Sequence, residues 1–241
     1  MTTKTIYFSH GDKGGVGKSV VASVVTDWLL SRNTTLALVD GDNNKDVASR
    51  FAGDARMESV YLNLNDPSEA DAVMGRFGIW LENNTADSVV LNLPANASQT
   101  LDQQAEILRD MADALGYRLA ATFSLGKGQA CSDALQESLA SGLLSVIDPG
   151  NRMVLYPAFD MKPEESSWYD VHRKQYAGHE AVFPALKPRD AFTEVLNHAK
   201  PYSALLQAQP HVLHLHTRSV LARWVASARR ALAPLFPALE V

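Results

Sequence analysis

Short apolar segments alternate with stretches in which apolar residues recur at helical spacing, almost from one end of the chain to the other. Thr5-Ile6-Tyr7-Phe8-Ser9 is β-branched and aromatic and predicts a strand. Over 18–31, Val20, Val21, Val24, Val25, Trp28 and Leu29 share one helical face. Thr35 to Val39 reads as a buried strand running into acids, 60–64 as another strand, and 67–83 as a helix. The run 88–93 is again strand-like, and 101–115 carries a stripe of Leu101, Ala105, Leu108, Ala112 and Leu115 closed by Gly116. Residues 117–123 predict a strand, 130–144 a helix ended by Gly142, and 153–156 and 181–186 the last two strands. Strands alternating with helices predict an α/β fold, a mainly parallel twisted sheet with helices on both faces, as one domain across 1–241. The stretch 160–179 is the least regular and reads as a surface excursion.

Composition narrows the class. The chain has 241 residues, 46% hydrophobic and 20% charged, with a net charge of −5. These values exclude intrinsic disorder, collagen-like repeats and a coiled coil. The single cysteine, Cys131, excludes an internal disulfide and a four-cysteine metal site from one chain. No apolar run reaches the roughly 18 residues of a membrane span. The amino terminus runs straight into a strand and does not read as a signal peptide, so the expected compartment is the cytoplasm.

The most informative stretch is Gly11-Asp12-Lys13-Gly14-Gly15-Val16-Gly17-Lys18-Ser19, set between a predicted strand and a predicted helix. That context suits a phosphate-binding loop. Its glycines let the backbone aim successive N–H groups, from Gly14 through Val16 to Val20, at phosphate oxygens. The start of the helix adds its positive end. Lys18 would reach the β- and γ-phosphates, and the Ser19 hydroxyl would coordinate Mg²⁺. The strict pattern G-x-x-x-x-G-K-[ST] fails at one position, where Asp12 replaces the first glycine.

Lys13, directly before Gly-Gly-Val-Gly-Lys-Ser, resembles the deviant Walker A motif of the ParA/MinD family of P-loop ATPases. The resemblance implies an ATP-dependent homodimer in which the first lysine crosses the interface to the partner's nucleotide. It would put positive charge where phosphoryl transfer concentrates negative charge. Lys13, Lys18 and Asp42 are then the expected catalytic residues. Leu38-Val39-Asp40-Gly41-Asp42 resembles the family's switch I. By that match Asp42 orients the attacking water, while Ser19, Asp40 and Asp42 serve Mg²⁺ and its waters. Switch II departs from the family: Val89-Val90-Leu91-Asn92-Leu93-Pro94 has Asn92 where an aspartate is usual. An amide accepts a bond from a metal-bound water but brings no charge, so slow turnover is expected. Residues 182–192 resemble the family's last strand, loop and helix, which implies Pro184 as a base-contacting position, with a purely structural turn as the alternative. The altered switch II and the carboxyl-terminal pattern resemble plasmid-encoded conjugal-transfer (TraL-type) or plasmid-stability members.

A basic amphipathic helix is predicted at about 213–236. It has Val220, Leu221, Trp224, Val225, Ala228, Leu232 and Leu235 on one side, Arg223 and Arg230 opposite, and Arg218 and Arg229 flanking. Three readings stand: a terminal helix packed on the sheet, a contact to the DNA backbone, and a membrane-surface helix. His211, His214 and His216 read as surface histidines, Cys131 as a small core residue, and Trp168-Tyr169 as a local anchor or a partner contact. The resemblance as a whole implies an ATP- and Mg²⁺-dependent dimerisation switch acting in plasmid partition, stability or conjugal transfer. The alternatives are a nucleotide-sensing scaffold with little hydrolysis and a MinD-like membrane-positioning ATPase. Lys13 argues against a metabolic ligase on the same scaffold, and one cysteine argues against an iron–sulfur carrier.

Overall fold

β1 (Lys4–His10) is buried on both faces because it lies inside a sheet whose two sides are both covered by helices. Ile6 and Phe8 enter one core and Tyr7 the other, as the two-residue period of a strand requires. The structure, a computed structural model, describes residues 4–11, 13–32, 34–42, 46–95 and 97–239. In chain order the elements are α1 (Lys18–Leu30), β2 (Leu36–Asp40), α2 (Asp46–Arg50), β3 (Met57–Tyr61), α3 (Ala70–Asn83), β4 (Ser88–Asn92) and α4 (Ala97–Leu101). There follow α5 (Ala105–Ala114), β5 (Tyr117–Ser124), α6 (Gln129–Ala140), β6 (Arg152–Pro157), α7 (Ser167–Val171) and β7 (His179–Phe183). The chain ends in α8 (Arg189–Leu196), α9 (Tyr202–Gln207) and α10 (Leu215–Leu232).

The seven strands are all parallel, in the order β3-β2-β4-β1-β5-β6-β7. Chain direction across the sheet reverses around β1 and β4, the position where open α/β sheets form a ligand crevice at the carboxyl ends of their strands. One core lies between the sheet and α3, α5 and α6; the other holds α1 with α8, α9 and α10. The predicted α/β class and mainly parallel sheet are what the chain adopts.

Several predicted boundaries move, each for a local reason. The strand expected at 60–64 lies at Met57–Tyr61. Leu62 and Leu64 stay buried after leaving the ladder, with the Thr100 hydroxyl donating to the Leu64 carbonyl. The strand expected at 181–186 is His179–Phe183, since Pro184 has no N–H to continue it. The helix expected over 101–115 breaks into α4, a 3₁₀ turn at Asp102–Gln104, and α5. Within that turn the Asp102 carboxylate accepts from the Leu143 N–H and the Ser138 hydroxyl, and Gln104 donates to Asp71. The helix expected over 130–144 stops at Ala140, where Gly142 packs so closely on Asp102 that no side chain would fit. The excursion 160–179 is anchored rather than loose: Trp168 is buried among His172 and Tyr176 and donates to Glu180.

The basic carboxyl-terminal helix spans Leu215–Leu232, followed by a 3₁₀ turn over Ala233–Leu235, and is shorter than the predicted 213–236. Its apolar stripe packs on the sheet and α1 as the first of the three readings required. Phe236 beyond it meets the rings of Tyr7 and Trp28. Arg229 is not a solvated flank; it pairs with the buried Asp27 of α1. Arg223 and Arg230 are exposed. The three histidines are exposed, and among the described residues no group of three His, Cys, Asp or Glu could hold a metal ion. Cys131 is buried and free. Among the described residues no helix is long and apolar enough to cross a membrane.

Candidate functional site

β1 delivers the chain to the carboxyl edge of the sheet, where it turns at Gly11. A Cβ there would sit 2.6 Å from the Ser124 carbonyl, so the loop hugs β5 only because Gly11 has no side chain. Asp12 lies outside the described residues. Lys13, Gly14 and Gly15 are exposed, Val16 is buried beneath them, and Gly17 caps α1 with φ +92°. No side chain caps Gly17, and no acid stands in the first turn of α1. Among the described residues, the positive end of this helix is thus left without a capping side chain or a first-turn acid.

Lys18 folds back over the loop, its Nζ donating to the Lys13 carbonyl at 2.8 Å, while the Ser9 hydroxyl donates to the Lys18 carbonyl at 2.8 Å. Lys18 is 7% exposed, so its ammonium sits at the mouth of a nearly dry cradle. A Cβ at Gly14 or Gly15 would meet nothing within 4 Å. An open cradle, uncapped helix N–H groups and a lysine ammonium together form a donor set suited to a polyphosphate.

The cradle opens into a cavity of about 1060 Å³. Gly14, Gly15, Gly17, Lys18, Ser19, Val20, Asp42 and Pro184 line it, which brings most of the predicted residues together. Val16, Asp40 and Asn92 are buried behind that lining, and Lys13 stands outside it. The Lys13 side chain passes Gly126, where a Cβ would be 3.2 Å from its Cδ. The sequence reading missed Phe159, Phe192, Arg50 and Tyr202, which also line the cavity. The Phe159 ring lies against Gly17, 3.1 Å from where a Cβ would stand. The Trp224 indole N–H donates to the Pro184 carbonyl at 2.9 Å and fixes that turn. An aromatic just past the end of β6 was the available signal for Phe159; nothing local marked the others.

Register places Asp40 and Ser9 on either side of Asn92. The Asn92 amide Nδ2 donates to Asp40 Oδ1 at 2.9 Å. Since a carboxylate only accepts, this bond fixes which way the amide faces. Asp40 Oδ1 also accepts from the Asp42 N–H at 3.3 Å, and Oδ2 accepts from the Ala48 N–H at 2.9 Å. Both Asp40 oxygens are thus engaged by backbone N–H groups, at Asp42 and in α2, while Asn92 Oδ1 is buried with no partner among the described residues. Asp46, at the start of α2, has its carboxyl pushed up by burial and by the nearby Asp42 and Asp40 charges. This acidic edge favours a cation arriving with an anionic ligand.

His10 is fully buried beside the Phe123 ring, and neither ring nitrogen has a partner. Burial, with the Lys18 ammonium second, lowers its pKa to about 3. Between pH 3 and 6.5 the unfolded chain therefore binds a proton that the folded chain does not. Stability is complete above pH 6.5 and falls as the pH drops through this window. Urea denaturation should show wild type losing about 2 kcal/mol more than His10→Phe between pH 7.5 and pH 5. Equal losses would mean that His10 is protonated in the fold.

No family model matches the chain. Protein MobD of Acidithiobacillus ferrooxidans is 28% identical over 141 residues, which are 56% of this chain and 57% of that relative's length. Among solved structures, MinD in the MinC:MinD cell division protein complex of Aquifex aeolicus aligns with a TM-score of 0.53 at 14% identity, covering 95% of this chain and 96% of that one. Apo McdA of Cyanthece aligns with a TM-score of 0.52 at 13% identity, covering 95% and 99%. The signal recognition particle receptor FtsY of Elizabethkingia anophelis also aligns, with a TM-score of 0.53 at 11% identity over 93% of this chain and 66% of that one. Likeness at these identities is a likeness of fold, shared by proteins with different tasks. The chain has the P-loop NTPase fold in the seven-stranded, all-parallel form of the MinD and ParA type.

Proposed function

We propose that the chain is a nucleotide-binding ATPase of the ParA/MinD family. The observation that carries this reading is the open, uncapped cradle at α1, with Lys18 folded across it and Lys13 standing outside. ATP would seat its phosphates on the N–H groups from Gly14 to Val20 and on Lys18, with its base toward Phe159 and Pro184. Ser19 and Asp42 suit Mg²⁺, which would supply charge neutralisation at the phosphates. Asp42, half-exposed at the cavity, suits a role in orienting water. Asp40, whose oxygens accept from the Asp42 and Ala48 N–H groups, would act as a positioning residue.

Lys13, exposed at the loop, is available to a second subunit's phosphates, so the nucleotide would close two copies face to face. Light scattering of wild type should show a dimer with ATP and Mg²⁺ and a monomer without. Lys13→Ala should bind ATP yet stay monomeric; a dimer in that variant would remove the interfacial role. The cargo reading, plasmid partition, stability or conjugal transfer, leans on the sequence resemblance. Exposed Arg223 and Arg230 are the side chains that a DNA-backbone contact would use, read out as salt-sensitive DNA retention of the dimer.

A second reading, a nucleotide-sensing scaffold with little hydrolysis, is favoured by Asn92. Its amide neutralises what would be a carboxylate pair. Asn92→Asp would replace a 2.9 Å amide–carboxylate bond with two buried like charges. We expect a loss of about 2–4 kcal/mol in stability and no gain in ATPase rate. A faster, equally stable Asn92→Asp enzyme would show that the amide, rather than the architecture, limits turnover.

A further inference from the structure

A buried cation without an ion pair among the described residues stands in the wall of the cavity. Arg50 closes α2, is 9% exposed and lines the same cavity as Lys18. Among the described residues no carboxylate lies within 4.0 Å of it. Of its five N–H groups, one donates to an acceptor among the described residues, with Nη1 meeting the Lys200 carbonyl at 2.8 Å. Its guanidinium is held over the Tyr202 ring, 4.7 Å from the centroid. Tyr202 is itself locked edge-on to Trp224 at 5.2 Å. The guanidinium is thus rigidly presented rather than solvated. The Arg50 charge acts on the Asp46 carboxyl of the same helix, without an ion pair between them among the described residues.

Buried guanidinium groups are ordinarily paired, because an unpaired charge in an apolar wall is costly. The fork of Arg suits a phosphate or carboxylate, and Tyr202 and Trp224 lower the local dielectric, which strengthens such a contact. The cavity volume also lies at or above the upper end of the about 300–1,000 Å³ of ordinary small-molecule sites. It therefore has room for more than one anionic group.

We propose that Arg50, backed by Tyr202, forms a second anion subsite that takes a phosphate or carboxylate group which the phosphate loop does not hold. That group can be a substituent on the ribose of the bound nucleotide or part of a separate small anion. The subsite shares the cavity of the proposed nucleotide site but does not depend on a triphosphate being its ligand.

Calorimetric titration of the full chain separates these sources. In the first arm, adenosine 3′,5′-bisphosphate and adenosine 2′,5′-bisphosphate are each compared with AMP. In the second, pyrophosphate is titrated into protein saturated with ADP. Wild type should prefer one bisphosphate over AMP by at least tenfold, or bind pyrophosphate beside ADP. The same preference or binding should vanish in Arg50→Met and persist in weakened form in Arg50→Lys, which serves if the methionine variant fails to fold. Preference in the first arm assigns a ribose substituent, and binding in the second a separate anion. Equal titrations in wild type and either variant would reduce Arg50 to a packing residue and overturn the subsite. If ADP itself fails to bind wild type, the nucleotide reading falls, while pyrophosphate binding still differs, or not, between wild type and Arg50→Met.

Discussion

Lys18→Gln is expected to lose the thermal stabilisation that ATP and Mg²⁺ give the wild type. At ligand concentrations about 100-fold above Kd, binding should add about 2.7 kcal/mol to wild-type stability. For a chain of this size that corresponds to a rise of about 5–10 °C in Tm. Lys18 holds a nearly buried ammonium at a helix start that no side chain caps, so its charge would act on a bound phosphate with little solvent screening. Charge-assisted hydrogen bonds of this kind contribute about 1.5–3 kcal/mol each. Removing the two or three such contacts that one ammonium can make should weaken affinity by at least about 10²-fold, leaving a Tm shift under about 2 °C. Glutamine is one atom shorter but keeps an uncharged N–H donor at its end, so the loop should persist. Differential scanning calorimetry with and without nucleotide checks this, and an undiminished shift in Lys18→Gln would remove the phosphate role of the cradle.

Asp27→Ala should cost about 3–5 kcal/mol of folding stability, a large share of the about 5–15 kcal/mol typical of a whole domain. Asp27 lies on α1, is 1% exposed, and gathers three donors from the carboxyl-terminal part of the chain. Its Oδ1 accepts from the Ser203 N–H at 3.1 Å and the Ser203 hydroxyl at 2.6 Å; its Oδ2 accepts from Arg229 Nη2 at 3.3 Å. Burial lowers the Arg229 pKa, and Asp27 opposes that shift, so the carboxylate is what makes the buried guanidinium tolerable. Alanine would leave Arg229 charged against Trp28 and would free the Ser203 donors. The double variant Asp27→Ala/Arg229→Met should recover part of the loss, since no lone charge remains. Urea denaturation of the four proteins in this cycle measures the coupling. Additive losses would mean that the pair does not fasten α9 and α10 to α1.

These two residues differ in how well the sequence announced them. Lys18 sits in a local pattern whose chemistry depends on spacing along a few residues, and the loop, its glycines and Ser19 were legible for that reason. The alternation of strands and helices was legible too, because burial on both faces of a parallel sheet writes continuous apolar runs at β1, β2 and β4. Asp27, by contrast, was an acid on an otherwise apolar helical face with no visible partner. Its partner Arg229 is 202 positions away.

What one dimension determined, then, is whatever depends on neighbours a few bonds apart: the period of each element, the glycine-rich loop between strand and helix, and the two acids at the end of β2. What only three dimensions decided is which distant groups share a surface. The cavity gathers Phe159, Arg50 and Tyr202 from three distant parts of the chain. The Asn92 amide reads as a lost charge along the chain and as the anchor of Asp40 across the sheet. The physical reason is that periodicity and backbone conformation are local energies. Charge pairing, hydrogen-bond satisfaction and cavity shape depend on distances set by packing, and no spacing along a chain encodes those.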